Sequence, residues 1–374
     1  MTTGHSVRRA SFWMLGAAAI VSLAWAAFAA QSAEPQAPSE IRTSPIYATS
    51  ENGTPVTALG ADDLEVKLGG RRVAAFTLIK GESPNKLVFI IFDTASLGSN
   101  ALSVSKKIAQ STVAQAGQGV RFVVMSVDPG AGLNLICGPT TERETAAAGI
   151  AGSIVSKVQS AAIGVSVVDG IAGPAPRQVR EEDREQIGTI IIDSLRTLSR
   201  VLAGFPESNK VVHFYSGGIP QGPMLDLSPV KRYTYLGAET LPVTSYQDLQ
   251  NFTSPSTETD EQIMGAGRAI KKSGAVLFAI NTAGVLKRAA DESSGEPSLR
   301  LLVNESGGRF VEGTDEDIIG SLSAAEQGYY ELAISIPKSK RGEGLPLEVR
   351  AKDRALTLSS AGFLAPPRPP VMER

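Results

Sequence analysis

The chain has 374 residues, of which 42% are hydrophobic and 20% are charged, and its formal net charge is −2. This composition is typical of a globular protein and excludes a disordered or largely membrane-embedded chain. The near-neutral charge, with no stripe rich in Lys and Arg, argues against nucleic acid as a partner. Because Cys137 is the only cysteine, no disulfide can form within the chain, and the apolar residues around it predict a buried, inert thiol.

The N-terminus has the features of a secretory signal peptide. Arg8 and Arg9 precede an uncharged apolar run over residues 12–28, and Ala27-Phe28-Ala29 places small residues at a cleavage site. We therefore expect residues 1–29 to be removed and residues 30–40 to form a linker, which makes the mature protein secreted or periplasmic, without a membrane span. The alternative is an uncleaved N-terminal membrane anchor, because the apolar run approaches the length that spans a bilayer.

Residues 41–80 are predicted to form an N-terminal β segment. Leu64, Val66 and Leu68 alternate with polar residues up to Gly69-Gly70, and a second apolar alternation follows the two glycines. Two glycines between alternating runs predict a tight hairpin, because such a turn needs positive φ at both positions.

Strand and helix patterns alternate over residues 86–325. Four continuous apolar runs are typical of strands buried on both faces of a parallel sheet: KLVFIIFD, VRFVVMSVD, KVVHFYS and AVLFAIN. The second run turns at Asp128-Pro129-Gly130 into a predicted antiparallel edge strand. Four helices are predicted over residues 99–116, 182–203, 297–304 and 315–325. Two more are predicted from capping residues: one starts at a capping box of Thr141 and Glu144, and one runs from a cap at Thr259 and Gln262 to Gly274. This alternation predicts an α/β fold with a doubly wound, mostly parallel sheet.

The C-terminal part lacks this alternation. Residues 326–364 contain three strand patterns with no helix between them: YYELAISI, PLEVRA and ALTLS. We expect these strands to fold with the N-terminal segment into a small β module. Residues 365–374 are rich in proline and are predicted to be a loose tail.

The candidate binding residues follow the predicted strands of the sheet. Ligands of open α/β sheets bind beyond the carboxyl ends of the strands, where Asp93, Asp128, Ser216 and Asn281 are located. Asp93 is the strongest candidate, because it opens the polar loop DTASLGSN directly after the first parallel strand.

This loop resembles a motif of a known family. IIFDTASLGSN is similar to the metal-ion-dependent adhesion site of von Willebrand factor A domains, whose pattern is Asp-x-Ser-x-Ser. Other segments resemble the bacterial VWFA-related domain family, and the resemblance covers about residues 41–366: VTALGADDLEVKLGGRRVAAF, SLRTLSRVLAGFPESNKVVHFYSGG and LRLLVNESGGRFVEGTDEDIIGSLSAAEQGYYELAISIP. The resemblance implies a von Willebrand factor A-like, Rossmann-like fold and a Mg²⁺ held by hard oxygen ligands, open to an acidic group of a partner.

The sequence departs from the family pattern at this metal site. Asp93 is present, but Ala95 and Leu97 stand where the resemblance places two serine ligands, and Ser216 stands where it places a later aspartate. A single carboxylate holds Mg²⁺ weakly, so we predict a degenerate adhesion site with no metal cofactor.

The predicted binding residues of this degenerate site are Asp93, Thr94, Ser96, Ser99 and Ser216. The alternative is Mg²⁺-dependent binding, in which a shifted loop presents Asp93, Ser96 and Ser99 as ligands. In that alternative, Thr140 or Thr141 could supply a threonine ligand.

Signals for catalysis are few. The two histidines are His5, in the signal peptide, and His213, which lies within an apolar strand and is predicted to be structural. The sequence has no convincing Ser-His-Asp or Cys-His set, no G-x-S-x-G elbow and no Walker loop. We therefore predict an exported, non-catalytic binding module for an unknown protein partner. The alternative from another functional class is an exported hydrolase that uses Ser216 or Asp128.

Overall fold

A computed structural model describes residues 39–81, 86–153, 181–207, 209–220, 246–282, 295–337 and 344–364. The predicted signal peptide, nearly all of the linker and the proline-rich tail lie outside these residues. No helix within the described ranges is long and apolar enough to cross a membrane.

The chain divides into two units. The smaller one combines residues 1–41 with 335–341, and its described part consists of extended chain at residues 39–41 and 335–337. The larger one holds residues 42–334 and 342–374, which include all the other elements. The predicted domain boundaries stay a prediction.

The described strands are β1 (Ser39–Ser50), β2 (Leu64–Leu68), β3 (Arg71–Arg72), β4 (Thr77–Lys80), β5 (Leu87–Asp93), β6 (Arg121–Asp128), β7 (Gly132–Thr140), β8 (Lys210–Ser216), β9 (Ala275–Asn281), β10 (Arg309–Val311), β11 (Tyr329–Pro337), β12 (Leu345–Ala351), β13 (Leu356–Ser360) and β14 (Phe363–Leu364). The described α-helices are α1 (Ser99–Gln115), α2 (Arg143–Gly152), α3 (Glu181–Ala203), α4 (Tyr246–Lys272), α5 (Glu296–Ser306) and α6 (Asp315–Gln327).

The central sheet has the strand order β10-β9-β8-β5-β6-β7. Every neighbouring pair in it is parallel except β6 and β7, which are antiparallel. Counted from β5 as the first strand, the order is 3-2-1-4-5-6 when read from β7 to β10, which is an order of doubly wound folds. The predicted α/β fold class and the antiparallel edge strand are both confirmed.

Helices cover both faces of this sheet. On one face, Ile90 and Phe92 of β5 share a buried cluster with Ile108 of α1 and with residues of α2 and α6. On the other face, Phe89 and Ile91 cluster with residues of α3, α4 and α5. All seven residues of β5 are buried, because the strand has a strand neighbour on each side and helices above and below. This explains why its sequence is continuously apolar rather than alternating.

The N- and C-terminal segments interleave in two small sheets, with the orders β13-β1-β11-β4 and β14-β12-β2-β3. Antiparallel pairs join β1 to β13, β4 to β11 and β2 to β12. The predicted β module is therefore confirmed, as two sheets. The predicted hairpin between β2 and β3 is confirmed as well, with φ of 57° at Gly69 and 79° at Gly70.

Two predicted helix starts are wrong. Helix α2 begins at Arg143 with Glu142 as its N-cap and has no side-chain cap, and the hydroxyl of Thr140 accepts the amide hydrogen of Glu142 at 3.1 Å. Helix α4 begins at Tyr246, so Thr259 and Gln262 lie inside it. Polar residues of this type occur within helices as well as at caps, so the pattern alone did not locate the start.

The prediction for Cys137 is corrected in part. Its thiol is half-buried rather than buried, because β7 is an edge strand with a strand neighbour on one side only. His213 is buried in β8 with 2% of its surface exposed, but its Nδ1 has no hydrogen-bond partner among the described residues.

Candidate functional site

Asp93 ends β5 at the carboxyl edge of the central sheet. Its side chain is fully buried, although the loop that follows leads to the exposed start of α1. The next residue, Thr94, fastens this loop to the neighbouring strand, because its hydroxyl donates to the carbonyl oxygen of Val127 at 2.7 Å. The loop therefore leaves the sheet along a fixed path.

The carboxylate of Asp93 accepts four hydrogen bonds from the chain itself. Oδ1 accepts the amide hydrogens of Ala95 and Ser96, both at 3.2 Å. Oδ2 accepts the hydroxyl hydrogens of Ser96 at 2.5 Å and Ser216 at 2.6 Å. An ionised carboxylate has about four acceptor positions, so the carboxylate is saturated.

The two serine hydroxyls connect Asp93 to the loop after β8. Oγ of Ser96 accepts the amide hydrogen of Gly217 at 2.9 Å, and Oγ of Ser216 accepts that of Gly218 at 2.9 Å. The two hydroxyl oxygens are 3.1 Å apart. Each hydroxyl therefore takes a hydrogen from the backbone and gives one to the carboxylate, which joins the loops after β5 and β8.

The loop after β8 is held on its other side by the start of α5. Gly218 has a φ of 108° and lies so close to Gly295 that a Cβ on Gly218 would be 2.0 Å from the Cα of Gly295. Oγ of Ser298 accepts the amide hydrogen of Ile219 at 2.8 Å and donates to the carbonyl oxygen of Gly295 at 2.6 Å. Only glycine fits at both sides of this contact. The loop after β5, the loop after β8 and the start of α5 thus form one network at the carboxyl edge of the sheet, which we call the rim. These contacts leave the rim few alternative conformations.

Burial changes the acidity of Asp93. Desolvation raises the pKa of its carboxyl group to about 6, because the charged form loses its hydration inside the protein. The hydrogen bonds from Ser216 and Ser96 favour the charged form and offset part of this rise.

The structure brings together three of the predicted binding residues: Asp93, Ser96 and Ser216. Thr94 is adjacent, but its hydroxyl is engaged with β6. Ser99 is exposed at the first position of α1, and no hydrogen bond to another described residue joins its side chain to the cluster. Asn281 ends β9, is buried, and lies next to Ser216 in the register of the sheet.

The proposed threonine ligand lies at the wrong end of the sheet. Asp93 pairs with Val127 near the carboxyl end of β6, whereas Thr140 pairs with Phe122 near its amino end. Because β7 is antiparallel to β6, it carries Thr140 and the following Thr141 away from Asp93. This expectation from the sequence is corrected.

The cluster does not fit a Mg²⁺ site. A cation needs several oxygen lone pairs directed at one point. Here the amide hydrogens of Gly217 and Gly218 point at the serine oxygens, which places positive rather than negative ends around the cluster. The carboxylate of Asp93 already accepts four hydrogen bonds, which leaves no acceptor position for a cation.

The residues of the hydrolase alternative are engaged elsewhere. Ser216 donates its hydroxyl hydrogen to Asp93, and no histidine of the described chain accepts it. Asp128 accepts the amide hydrogens of Gly130 and Ala131 at 2.8 and 3.1 Å, so it stabilises the turn between β6 and β7. Burial and the nearby Lys86 lower the pKa of His213 to about 3. Among the described residues, the hydroxyl of Ser216 is therefore paired with a buried carboxylate and not with a histidine.

Four residues of the rim were not found from the sequence: Gly217, Gly218, Gly295 and Ser298. The Gly-Gly pair after the strand KVVHFYS was a usable signal, because paired glycines after a strand permit close backbone approach. Gly295 and Ser298 gave no such signal, since they contact the rim from about 80 residues further along the chain.

The sequence matches no protein-family model and no curated protein. Among solved structures, the chain is similar to the von Willebrand factor domain of the type V pili tip protein Mfa5 from Porphyromonas gingivalis, with a TM-score of 0.36, 12% identity, and coverage of 66% of this chain and 95% of that one. A von Willebrand factor type A structure from Catenulispora acidiphila has a TM-score of 0.36 and 9% identity, with coverage of 88% and 74%. An aerotolerance-related membrane protein from Bacteroides fragilis has a TM-score of 0.35 and 10% identity, with coverage of 65% and 98%. By its own strand order, the chain has the doubly wound fold that the resemblance to von Willebrand factor A domains implied.

Proposed function

We propose that the mature chain is an exported, non-catalytic module that binds a partner protein at the carboxyl rim of its sheet, without a metal ion. The observation that carries this proposal is the saturation of Asp93 by four hydrogen bonds from its own chain. A rim of this kind presents a fixed surface to a partner rather than an open coordination position.

The contact surface in this proposal is the exposed turn at the start of α1. Gly98, Ser99 and Asn100 are exposed and carry no charge. They follow directly on the network of Asp93, which holds the turn in place. A surface that is already rigid loses little conformational entropy when it binds, which favours affinity from a small contact area.

Calorimetric titration of the mature protein with Mg²⁺ and Mn²⁺ tests whether the rim binds a metal ion. We expect the wild type and Asp93→Ala to give the same heat as buffer alone. Heat that is present in the wild type and lost in Asp93→Ala would instead establish the alternative, in which Asp93, Ser96 and Ser99 bind a metal ion.

Partner binding is tested by affinity capture from the native cell envelope, followed by mass spectrometry. Ser99→Trp places a bulky side chain on the rim, and Gln118→Trp is its control, because Gln118 is exposed just before β6 at the opposite end of the sheet. We expect one partner to be retained by the wild type and Gln118→Trp, with EDTA or with Mg²⁺, and lost by Ser99→Trp. A partner lost equally in both variants would contradict binding at the rim.

The absence of catalysis is tested with a fluorophosphonate probe for activated serines. We expect no labelling of Ser216, because its side chain is fully buried and no histidine of the described residues accepts its hydroxyl hydrogen. Labelling that Ser216→Ala removes would favour the hydrolase alternative. The intact mass of the envelope protein tests the remaining part of the proposal, since cleavage after Ala29 distinguishes an exported soluble form from an anchored one.

A further inference from the structure

Strand β7 ends the central sheet among the described residues, and it pairs with β6 alone. It is nine residues long, and none of these residues is buried. Apart from its ladder with β6, no backbone hydrogen bond joins it to another described segment. A row of amide and carbonyl groups at the edge of a sheet is a template for pairing with a further strand.

This edge lacks the charges that usually protect the end of a sheet. No residue between Asp128 and Glu142 is charged, although 20% of the residues in the chain are. The opposite end of the same sheet, β10, is only three residues long and begins with Arg309. The outer edge of β7 is therefore the less protected end of the central sheet.

The first half of β7 is the part suited to regular pairing. Its register with β6 is regular from Gly132 to Leu135 and then shifts twice before Thr140. Pro139, in the second half, has no amide hydrogen to donate to a neighbouring strand. We therefore expect a further strand to pair along residues 132–135.

The side chains of this segment are complementary to themselves. Leu133 packs against the buried cluster that includes α3, so Leu135 lies on the same face and Asn134 on the other. Leu135 is 62% exposed and thus has apolar surface that its own chain does not cover. The side chain of Asn134 is half-buried and donates to the carbonyl oxygen of Gly132 at 3.1 Å.

A two-fold axis at Asn134 matches these side chains. In an antiparallel pair related by this axis, Leu133 of each copy lies opposite Leu135 of the other, and Asn134 lies opposite itself. An axis at Leu135 would instead place Leu133 opposite Cys137, beyond the first shift in register. The pattern of Leu133, Asn134 and Leu135 therefore favours one register.

We propose that the mature protein forms a two-fold symmetric dimer in which β7 of one copy pairs antiparallel with β7 of a second copy around Asn134. A second copy fits this edge because the symmetry places apolar against apolar and amide against amide, with no charged residue in the ladder. The central sheets of the two copies then continue into one another. The segment does not belong to the rim, so this inference does not depend on the proposed function of the rim.

The size of the contact sets the expected affinity. Four residues of a strand span about 13 Å, and a sheet edge between two layers of helices is about 30 Å wide. Helices α2 and α3 both contact β7 and form these layers. Each copy then buries about 400 Å², which is typical of weak, transient association. We expect a dissociation constant of about 100 μM.

Sedimentation equilibrium of the mature protein measures this association. Leu135→Lys places a charge at the edge, and we expect it to weaken the dimer at least about tenfold. Ile79→Lys is the matched control, because Ile79 is also a large apolar residue, 51% exposed, but lies on β4 in another sheet. This control should keep the dissociation constant of the wild type.

A cross-link tests the register. Opposite residues of an antiparallel pair have Cα atoms about 4.5 to 5.5 Å apart, which suits a disulfide. With oxidised glutathione as the oxidant, Asn134→Cys in a Cys137→Ser background should therefore form a covalent dimer. Gln118→Cys in the same background is the control, since Gln118 is exposed outside β7 and should leave the protein monomeric on a denaturing gel.

Three results would overturn the inference. The first is a wild-type protein that stays monomeric up to about 1 mM, ten times the expected dissociation constant. The second is an equal loss of association in Leu135→Lys and Ile79→Lys, which would show that any contact is not specific to β7. The third is equal cross-linking at positions 134 and 118, which would indicate random collision rather than pairing around Asn134.

Discussion

Asp93 and His213 are buried residues on the neighbouring strands β5 and β8, and they differ in how many of their polar atoms have hydrogen-bond partners. Both oxygens of Asp93 are saturated by hydrogen bonds from two loops. Nδ1 of His213 has no hydrogen-bond partner in the described part of the chain, and its ring packs edge-on against Phe278 with the ring centres 5.6 Å apart. The carboxyl end of the sheet thus has a complete polar network, whereas the interior of β8 holds an incomplete one.

Burial and one nearby cation determine the protonation state of His213. Lys86 forms an ion pair with Glu326, and its ammonium group lies 5.6 Å from the ring centre of Tyr47. The hydroxyl of Tyr47 donates to Oδ1 of Asn209 at 3.1 Å. Burial, and then the positive charge of Lys86, lower the pKa of His213 to about 3, so its imidazole is neutral at neutral pH.

Desolvation decides the direction of both pKa shifts; hydrogen bonds reduce the shift of Asp93, whereas the charge of Lys86 adds to that of His213. Burial disfavours whichever form is charged, so it raises the pKa of Asp93 and lowers that of His213. The two groups therefore affect stability in opposite directions. The contribution of Asp93 is fully present below about pH 3.8 and is lost as the pH rises through about 6. The contribution of His213 is present above about pH 6.5 and is lost as the pH falls toward about 3.

The largest expected effect comes from removing the incomplete network. His213→Leu eliminates a group that the unfolded chain protonates and the folded chain does not, which is worth about 5 kcal/mol between pH 6.5 and pH 3. The free energy of unfolding of the variant, relative to that of the wild type, should therefore rise as the pH falls. Urea unfolding at intervals from pH 7 to pH 3 measures this difference. Parallel pH profiles for the two proteins would contradict the assigned role of His213.

The second-largest effect is expected from a substitution that disrupts the packing of the rim without changing a charge. Gly218→Ala adds a Cβ at a position with a φ of 108°, where it would be 2.0 Å from the Cα of Gly295, so we expect a loss of about 4 kcal/mol. Gly265→Ala is the matched control, because Gly265 lies in α4 with nothing within 4 Å of the added atom, and we expect a gain of about 0.5 to 1 kcal/mol there. Thermal unfolding of both variants measures the difference. A similar stability of the two would show that the rim is not tightly packed.

The third effect is expected from a substitution that replaces Asp93 by a residue that does not titrate. Asp93→Asn keeps the shape of the side chain but cannot ionise, so it lacks the stabilisation of about 3 kcal/mol that the wild type gains as the pH falls from 7 to 4. The free energy of unfolding of the variant, relative to that of the wild type, should therefore fall over this range, opposite in sign to the change in His213→Leu. The double variant His213→Leu/Asp93→Asn is the control, and its slope should lie between those of the single variants. A difference from the wild type that does not change with pH would exclude the raised pKa of Asp93.

The smallest effect distinguishes the serines of the rim. Ser216→Ala removes a hydrogen bond to the buried carboxylate and leaves the amide of Gly218 without its acceptor, which we expect to cost about 2 kcal/mol. Ser99→Ala, at an exposed position outside the network, should change stability by less than about 0.5 kcal/mol. Chemical unfolding at pH 7 compares the two variants. Equal losses would place Ser99 within the network and contradict the arrangement described here.

Much of the fold could be predicted because strands, helices and tight turns depend on residues that are close together in the sequence. The continuous apolar run of β5 predicted a strand buried on both faces, and Gly69-Gly70 predicted a hairpin with positive φ at both glycines. The starts of α2 and α4 could not be predicted, because a threonine three residues before a glutamate or glutamine occurs at helix starts and inside helices alike. The candidate site was predicted in part: Asp93 and Ser216 were expected at the same edge of the sheet, because the carboxyl ends of parallel strands meet there.

The sequence by itself determined the period of each element, the alternation of strands and helices, and the edge of the sheet at which polar side chains collect. Only the tertiary structure decided that Ser96 and Ser216 share one oxygen of Asp93, that Gly218 meets Gly295, and that Thr140 lies at the far end of the sheet. The physical reason is that strand and helix periods depend on near neighbours in the chain, whereas the fourth hydrogen bond to the carboxylate of Asp93 comes from Ser216, about 120 residues away. Strand order and register bring Ser216 to Asp93, and these are set by the packing of the sheet as a whole.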